Sequence, residues 1–356
     1  MAKSGAIRLG IVGLGRAGMS MHEAELKSRK RTFRIAAVCD VLPGRRQEMA
    51  QRHKCRYYAR IEDLIADPAV EMVDIATRSC DHFAHARMAL KAGKDVFLEK
   101  PICLTHAEAK QLRSLSARSK GTLYVRHNRR FEPAFHHIRE IIASGVLGEV
   151  YEIKLRRGSF QQRNDWQTLK RFGGGQLLNW GPHIIDHGLR LLESPLRGIW
   201  GDLKQVAAAG NAEDHLKILL TGANGRVIDL EISGGAVMRE PTYLVSGSRG
   251  GLTSDGTTIH LKHLAPRKKL PAVKADPGTP RPGFSFSPAL KWIDKTIPVR
   301  PKKKVDMSMI WDELYKAVRK GATFPISLDE AVEVMKVVSA VKKGTRFDTP
   351  RRSRRR

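Results

Sequence analysis

"GIVGLGRAG" (residues 10–18) decides the fold. The apolar run "IRLGIV" (7–12) leads into it, and a helical pattern follows. Gly13, Gly15 and Gly18 form a G-x-G-x-x-G pattern between the two. In that setting the first glycine permits a tight turn. The second lets the backbone approach a pyrophosphate, and the third lets the helix pack close to the strand. A helix N-terminus adds free N–H groups and a dipole that favours phosphate. The turn Gly13, Leu14, Gly15, Arg16, Ala17 and Gly18 is therefore the expected dinucleotide cradle.

Working outward, Asp40 ends the second apolar run, 22 residues beyond Gly18. A carboxylate there is placed to accept bonds from ribose hydroxyls and to repel a 2′-phosphate. That predicts NAD as cofactor. Arg45 and Arg46 follow closely and keep NADP open.

Four further apolar runs, 34–39, 73–76, 95–98 and 122–125, alternate with helical patterns. Short apolar strands separated by helices predict a parallel, doubly wound sheet with both faces covered. After residue 126 the texture changes. Segments 150–156, 226–233 and 258–262 alternate apolar with polar residues, the pattern of half-exposed, antiparallel strands. The expected class is α/β: an N-terminal Rossmann domain over 1–125, then a C-terminal α/β domain over 126–345 with an open, mostly antiparallel sheet. Within it, 264–304 reads as a proline-rich basic excursion. Residues 346–356, ending in "RRSRRR", read as a disordered basic tail. Ser327 and Glu330 predict a capping box before an apolar face of Ala331, Val334, Val338 and Val341.

The 356 residues carry 64 Lys and Arg against 36 Asp and Glu, a net charge of +28. Such a surface attracts polyanions. Paired zinc ligands and RNP aromatics are missing, so a specific nucleic-acid role is not expected. Four cysteines without a Cys-x-x-Cys pair point to idle thiols, not to a metal or a disulfide framework. Without a leader or an apolar span, the sequence predicts a cytoplasmic protein off the membrane.

Two more stretches carry chemistry. Glu99-Lys100-Pro101 ends the fourth apolar run, where ligands of open α/β sheets bind. A lysine there can stabilise a developing alkoxide, or can be a surface residue of a loop. "GGGQLLNWGPHIIDH" (173–187) sets Asn179, His183 and Asp186 at helical spacing behind three glycines. His183 is a candidate base. Asp186 either orients it or serves packing. Arg163 and Trp166, just upstream, either flank a substrate or pack between domains.

These stretches, with "ATRSCDHFAHARMALKAGKDVFLEKP" (76–101) and "NRRFEPAF" (128–135), resemble the glucose-fructose oxidoreductase / inositol dehydrogenase / rhizopine-catabolism (Gfo/Idh/MocA) family. The resemblance runs over nearly the whole chain. The segment 311–335 is similar to that family's closing segment. The resemblance implies a nicotinamide cofactor and a sugar, sugar derivative or cyclitol as substrate. It implies a large open sheet in the second domain and a homodimer or homotetramer. It maps the family's conserved lysine to Lys100 and its catalytic histidine to His183. Thr77, His82 and Glu99 then line the nicotinamide half of the site. Asn179, Asn128, Trp166 and Arg163 form the expected substrate set.

This chain departs from the family at two points: Arg78 follows Thr77 where proline is usual, and Asn179 stands where Asp is frequent. Two other functions share these features. One is redox-neutral glycoside cleavage by oxidation and elimination. The other is a non-catalytic dinucleotide-binding scaffold or sensor.

Overall fold

The computed structural model describes residues 5–265, 270 and 290–348. Six parallel strands form the first sheet, in the order β3-β2-β1-β4-β5-β6. They are β1 (Ile7–Val12), β2 (Phe33–Cys39), β3 (Arg56–Tyr58), β4 (Met72–Ile75), β5 (Asp95–Glu99) and β6 (Leu123–Arg126). Five coincide with the apolar runs. The unexpected one, β3, is an edge strand paired only to β2, with Arg56 and Tyr57 exposed. An edge strand buries too little to leave an apolar signature. Strand order reverses between β1 and β4, which opens a crevice at their carboxyl ends.

Each glycine of the turn has a separate steric reason. Gly13 has φ +92°, and a Cβ there would lie 2.7 Å from the Ala76 carbonyl oxygen. A Cβ on Gly18 would lie 2.1 Å from the Gly13 oxygen. Gly15 faces open space, its nearest neighbour being Arg45 Nη1 at 3.9 Å. The helix behind them opens as a π-helix over Arg16–Glu23 and tightens to an α-helix over Ala24–Leu26.

Among the described residues the second sheet has eight strands, in the order β14-β13-β12-β11-β7-β10-β9-β8. These are β7 (Val150–Gly158), β8 (Leu196–Lys204), β9 (His215–Gly222), β10 (Val227–Ser233), β11 (Tyr243–Gly247), β12 (Gly250–Ser254), β13 (Thr258–Leu264) and β14 (Trp292–Pro298). Within this set β7 and β10 pair parallel and the other pairs are antiparallel. Ile153, Leu155, Ile218, Leu220, Ile228 and Leu230 bury one face. Each such side chain contributes roughly 1.5–3 kcal/mol of burial. The helices Gly181–Leu192 and Leu328–Lys342 cover it. Gly188 lets the first settle on Ile228, where a Cβ would lie 3.1 Å from the side chain. The second starts at the expected capping box, Ser327 Oγ accepting from Glu330 N and Glu330 Oε2 from Ser327 N. The other face of the sheet is polar. Arg156 and Lys217 pair there with Asp229 and Glu231, and Trp200 is exposed.

Three sequence expectations need correction. Within 264–304, β14 pairs antiparallel with β13 along its whole length, so this part is sheet and not excursion. Its alternation is masked by charged residues on an exposed edge. Residues 266–269 and 271–289 of that segment lie outside the described residues. The tail does not begin at 346: Phe347 is 2% exposed in the core, and the Arg346 carbonyl accepts from Lys170 Nζ at 2.6 Å. Residues 349–356 lie outside the described residues.

Nor is 126–345 one continuous unit. The helix Met309–Lys320 returns to the first sheet and buries Ile310, Trp311 and Leu314 with Ile7, Leu9 and Phe97. The rings of Phe97 and Trp311 lie 4.8 Å apart. Periodicity shows that a helix has an apolar face, not which surface that face will cover.

The four cysteines are free, and among the described residues no cluster of metal-ligating side chains occurs. No described helix is long and apolar enough to cross a membrane.

Candidate active site

A cleft of about 1260 Å³ lies between the carboxyl ends of the first sheet and the segments 161–167 and 178–183. From the turn, Gly13, Gly15, Arg16 and Ala17 line it. Leu14 and Gly18 do not. Leu14 turns its side chain into the core, and its N–H donates to Asp40 Oδ2 at 2.7 Å. Gly18 is spent on packing against Gly13. Both shape the cradle.

Asp40 also accepts from Leu42 N at 2.9 Å, so its carboxylate is fixed by two amides and keeps lone pairs facing the cleft. Arg45 lines the same end, and so does Arg60, which the sequence did not suggest. Arg46 does not: it donates to the Asp40 and Val41 carbonyls.

Thr77, His82, Glu99 and Lys100 come together at the ends of β4 and β5 and line the cleft. Two of them act inward. His82 sits between the Pro101 carbonyl at 2.6 Å and the Thr77 carbonyl at 3.1 Å, and so braces two loops. Glu99 takes His22 Nε2 at 3.0 Å and Arg126 Nη1 at 2.8 Å on one oxygen, and the Lys100 N–H at 3.0 Å on the other. Three protein donors thus hold this carboxylate at the cleft wall. Thr77 Oγ1 lies 3.2 Å from His85 Nδ1.

Behind Glu99 lies a buried ionic chain. His22 Nδ1 bonds Asp74 Oδ2 at 2.9 Å, and Arg126 Nη2 bonds Glu25 Oε2 at 2.6 Å, which also accepts from Trp311 Nε1. Burial opposes the His22 charge, but Asp74 outweighs it with help from Glu99, and the imidazole is raised to about 9. Burial likewise opposes the Glu99 charge, yet Arg126 and His22 hold that carboxyl well below its usual range. Sequence reading missed this chain. Its signal was polar residues inside apolar strands: Asp74 within β4 and Arg126 ending β6.

Lys100 is half-buried, and its Nζ donates to the Asn179 carbonyl at 3.0 Å. Burial pulls the ammonium down to about 8, against the pull of Glu99. The Lys100–Pro101 peptide is cis.

The three glycines pack closely against the protein itself: a Cβ at Gly174 would lie 2.6 Å from the Gln167 carbonyl, and one at Gly175 would lie 2.1 Å from Glu213 Oε1. The helix behind them is also broken. Gln176–Asn179 forms one short segment and Gly181–Leu192 another, because Pro182 has no N–H to continue the ladder. Asn179 and His183 nonetheless face the same cleft. Gln167 Nε2 holds Asn179 Oδ1 at 3.3 Å.

His183 is buried, and its Nδ1 has no partner among the described residues. Burial, with Lys100 and Arg129 nearby, keeps its imidazole well below 6.5, hence uncharged. Asp186 does not orient it. Both its oxygens bind Arg130, at 2.8 and 2.5 Å.

Asn128, Arg163 and Trp166 line the cleft as well. Arg163 donates to Asp165 and Gln167, each at 2.5 Å, and Arg16 reaches Gln167 at 3.3 Å from the glycine turn. Gln167 thus links the two sides. The sequence also did not reveal Trp180, on whose ring Arg129 and Arg157 stack.

Comparison with known proteins fits this arrangement. Residues 7–127 match the model of an oxidoreductase family with an NAD-binding Rossmann fold, and residues 135–253 match the GFO/IDH/MocA C-terminal domain. The uncharacterized oxidoreductase YdgJ of Escherichia coli (strain K12) is 29% identical over 267 residues, covering 74% of this chain and 76% of that protein. The scyllo-inositol 2-dehydrogenase (NADP(+)) IolW of Bacillus subtilis (strain 168) is 24% identical over 342 residues, covering 95% of this chain and 93% of that protein. An NAD-binding protein from Listeria innocua shares the fold, with a TM-score of 0.78 at 24% identity, covering 94% of this chain and 93% of that one.

Proposed function

Because the chain belongs to the GFO/IDH/MocA family of NAD(P)-dependent oxidoreductases, we propose that it oxidises or reduces one CH–OH carbon of a sugar, sugar derivative or cyclitol, with Lys100 and His183 acting on the alcohol oxygen. One observation carries this reading. Lys100 and His183, remote in sequence, line a single cleft with the glycine turn and Asp40.

The turn fits a dinucleotide. Gly15 leaves open the space a phosphate needs, and the carboxylate of Asp40 suits a ribose. Gly13, Gly15, Arg16 and Ala17 would hold the phosphates, and Asp40 and Arg45 the adenosine end. Asp40 favours NAD. Arg45 and Arg60 leave NADP acceptable, and NADP is the cofactor named for IolW. When bound, the nicotinamide supplies the hydride acceptor or donor.

The chain's own residues manage the proton and the charge. Uncharged His183 accepts the hydroxyl proton during oxidation. The Lys100 ammonium donates a hydrogen bond to the same oxygen and stabilises its negative charge. Glu99 fixes the Lys100 backbone, and the Asn179 carbonyl aims its Nζ. Asn128, Asn179, Arg163 and Trp166 position neighbouring hydroxyls. Neutral amides both donate and accept, which suits polyols. The polar outer face of the second sheet is the surface through which a homodimer or homotetramer would form.

The test follows reduced cofactor and product together over a panel of polyols and glycosides. Accumulating reduced nicotinamide with an oxidised sugar supports the dehydrogenase. Glycoside cleavage without net reduction supports oxidation and elimination instead. Tight dinucleotide binding with no turnover on either set favours a scaffold.

A further inference from the structure

The cleft wall around Lys100 and Trp180 carries more fixed cation than its acids neutralise. Arg129 and Arg157 stack on one ring, Trp180, at 4.1 and 4.3 Å from its centroid. They share one carboxylate: Glu132 accepts from Arg129 Nη1 and from Arg157 Nη2, each at 3.1 Å. Arg129 lines the cleft, and its Nε and Nη2 make no bond to a described residue. Lys100 spends its Nζ on a neutral carbonyl, while Glu99 serves His22 and Arg126. Asn179 and His183, which face these cations, carry no charge.

The surrounding groups register the excess. Burial lowers the Arg129 guanidinium and Arg157 adds to the effect, against Glu132. His183 is depressed by burial and then by Lys100 and Arg129.

Resting on the dehydrogenase reading of this cleft, we infer that the substrate is an anionic polyol, a sugar carboxylate or sugar phosphate whose charged group pairs with Arg129 while its reacting hydroxyl meets Lys100 and His183. A planar guanidinium with two donors free matches a carboxylate or phosphate, and its stacking on Trp180 holds the fork in place. The phosphates of the dinucleotide do not meet this need, because they are assigned to the glycine turn beside Arg16. A charge-assisted bond in a partly dehydrated cleft is worth about tenfold or more in affinity.

The experiment measures ligand binding to the NADH-loaded protein by quenching of nicotinamide fluorescence. Its probes are D-glucose and myo-inositol as neutral ligands, D-gluconate and D-glucuronate as carboxylates, and D-glucose 6-phosphate. Expected is binding of at least one anionic probe about tenfold or more tighter than either neutral one. The carboxylate and phosphate arms then tell which anion is read. Arg129→Met, which keeps an unbranched side chain beside Trp180 but removes the guanidinium, should erase that preference and leave neutral binding within a few-fold. Arg34→Gln, on the exposed side of β2, should leave the preference intact and so exclude a mere effect of net charge.

Neutral probes binding as tightly as anionic ones, or a preference that survives Arg129→Met, overturns the inference. So does failure of every anionic probe to bind. All three leave the dehydrogenase reading standing, whereas failure of NADH itself to bind removes that reading and this inference with it.

Discussion

Lys100 Nζ donates to the Asn179 carbonyl at 3.0 Å, a bond that spans 79 residues of sequence. It ties the end of the fifth strand of a parallel sheet to the short helix behind three glycines. The lysine therefore arrives in the cleft already aimed, beside a histidine that burial keeps neutral. Preorganisation of this kind is what makes a cation effective at a developing alkoxide, since nothing has to reorient when the charge appears.

Removing either side chain tests that pairing. Lys100→Met and His183→Ala should each lower kcat by about 10²–10⁴, the usual worth of a positioned acid or base. Equilibrium binding of NADH should change little, because the glycine turn and Asp40 are untouched. Turnover within a few-fold of the parent for His183→Ala would remove it from the mechanism.

The pH profile should carry the signature of Lys100. Its ammonium is lowered from 10.5 to about 8, so the charge on the alcohol oxygen's partner is present below that pH and lost above it. Oxidation rates are expected to decline through pH 8. Lys100→Arg stays charged across this range. Its absolute rate will drop, and its alkaline limb near 8 should vanish.

Two glycines separate folding from binding. A Cβ at Gly18 meets the Gly13 carbonyl at 2.1 Å, whereas one at Gly15 meets nothing closer than Arg45. Gly18→Ala should destabilise the protein by a few kcal/mol, on the order of a core overpacking defect. Gly15→Ala should melt near the parent temperature and still bind NADH about tenfold or more weakly. Thermal melts paired with NADH titration distinguish the two.

Asp40 should set cofactor choice. Replacing it with Asn removes a negative charge beside Arg45 and leaves one carbonyl oxygen where the Leu14 and Leu42 amides now have two acceptors. The ratio of kcat/KM for NADP over NAD should rise by about tenfold, or roughly 1.4 kcal/mol of lost repulsion. An unchanged ratio would place the ribose elsewhere.

His22 should make stability depend on pH. Its folded-state value is raised from 6.5 to about 9, so its contribution is fully present below 6.5 and is lost as pH climbs through 9. The unfolding free energy of the parent minus that of His22→Gln should fall over this window, by about 3 kcal/mol at most. A difference that is flat with pH would mean His22 is uncharged between Asp74 and Glu99.

Sequence alone determined whatever depends on local spacing. The glycine turn after β1, Asp40 at the end of β2, the run of parallel strands and the Ser327–Glu330 cap each lie within a short stretch, where steric and periodic rules act. It also brought Lys100 and His183 forward, through the resemblance carried by their neighbouring motifs. Only the tertiary structure decided what each polar group would meet. Glu99 and His82 turned inward, Asp186 went to Arg130, and the helix at 309–320 crossed back to the first sheet. The physical reason is that a side chain's partner is fixed by packing between segments tens to hundreds of residues apart. Burial then sets its charge, and neither quantity is written in the pattern around the residue itself.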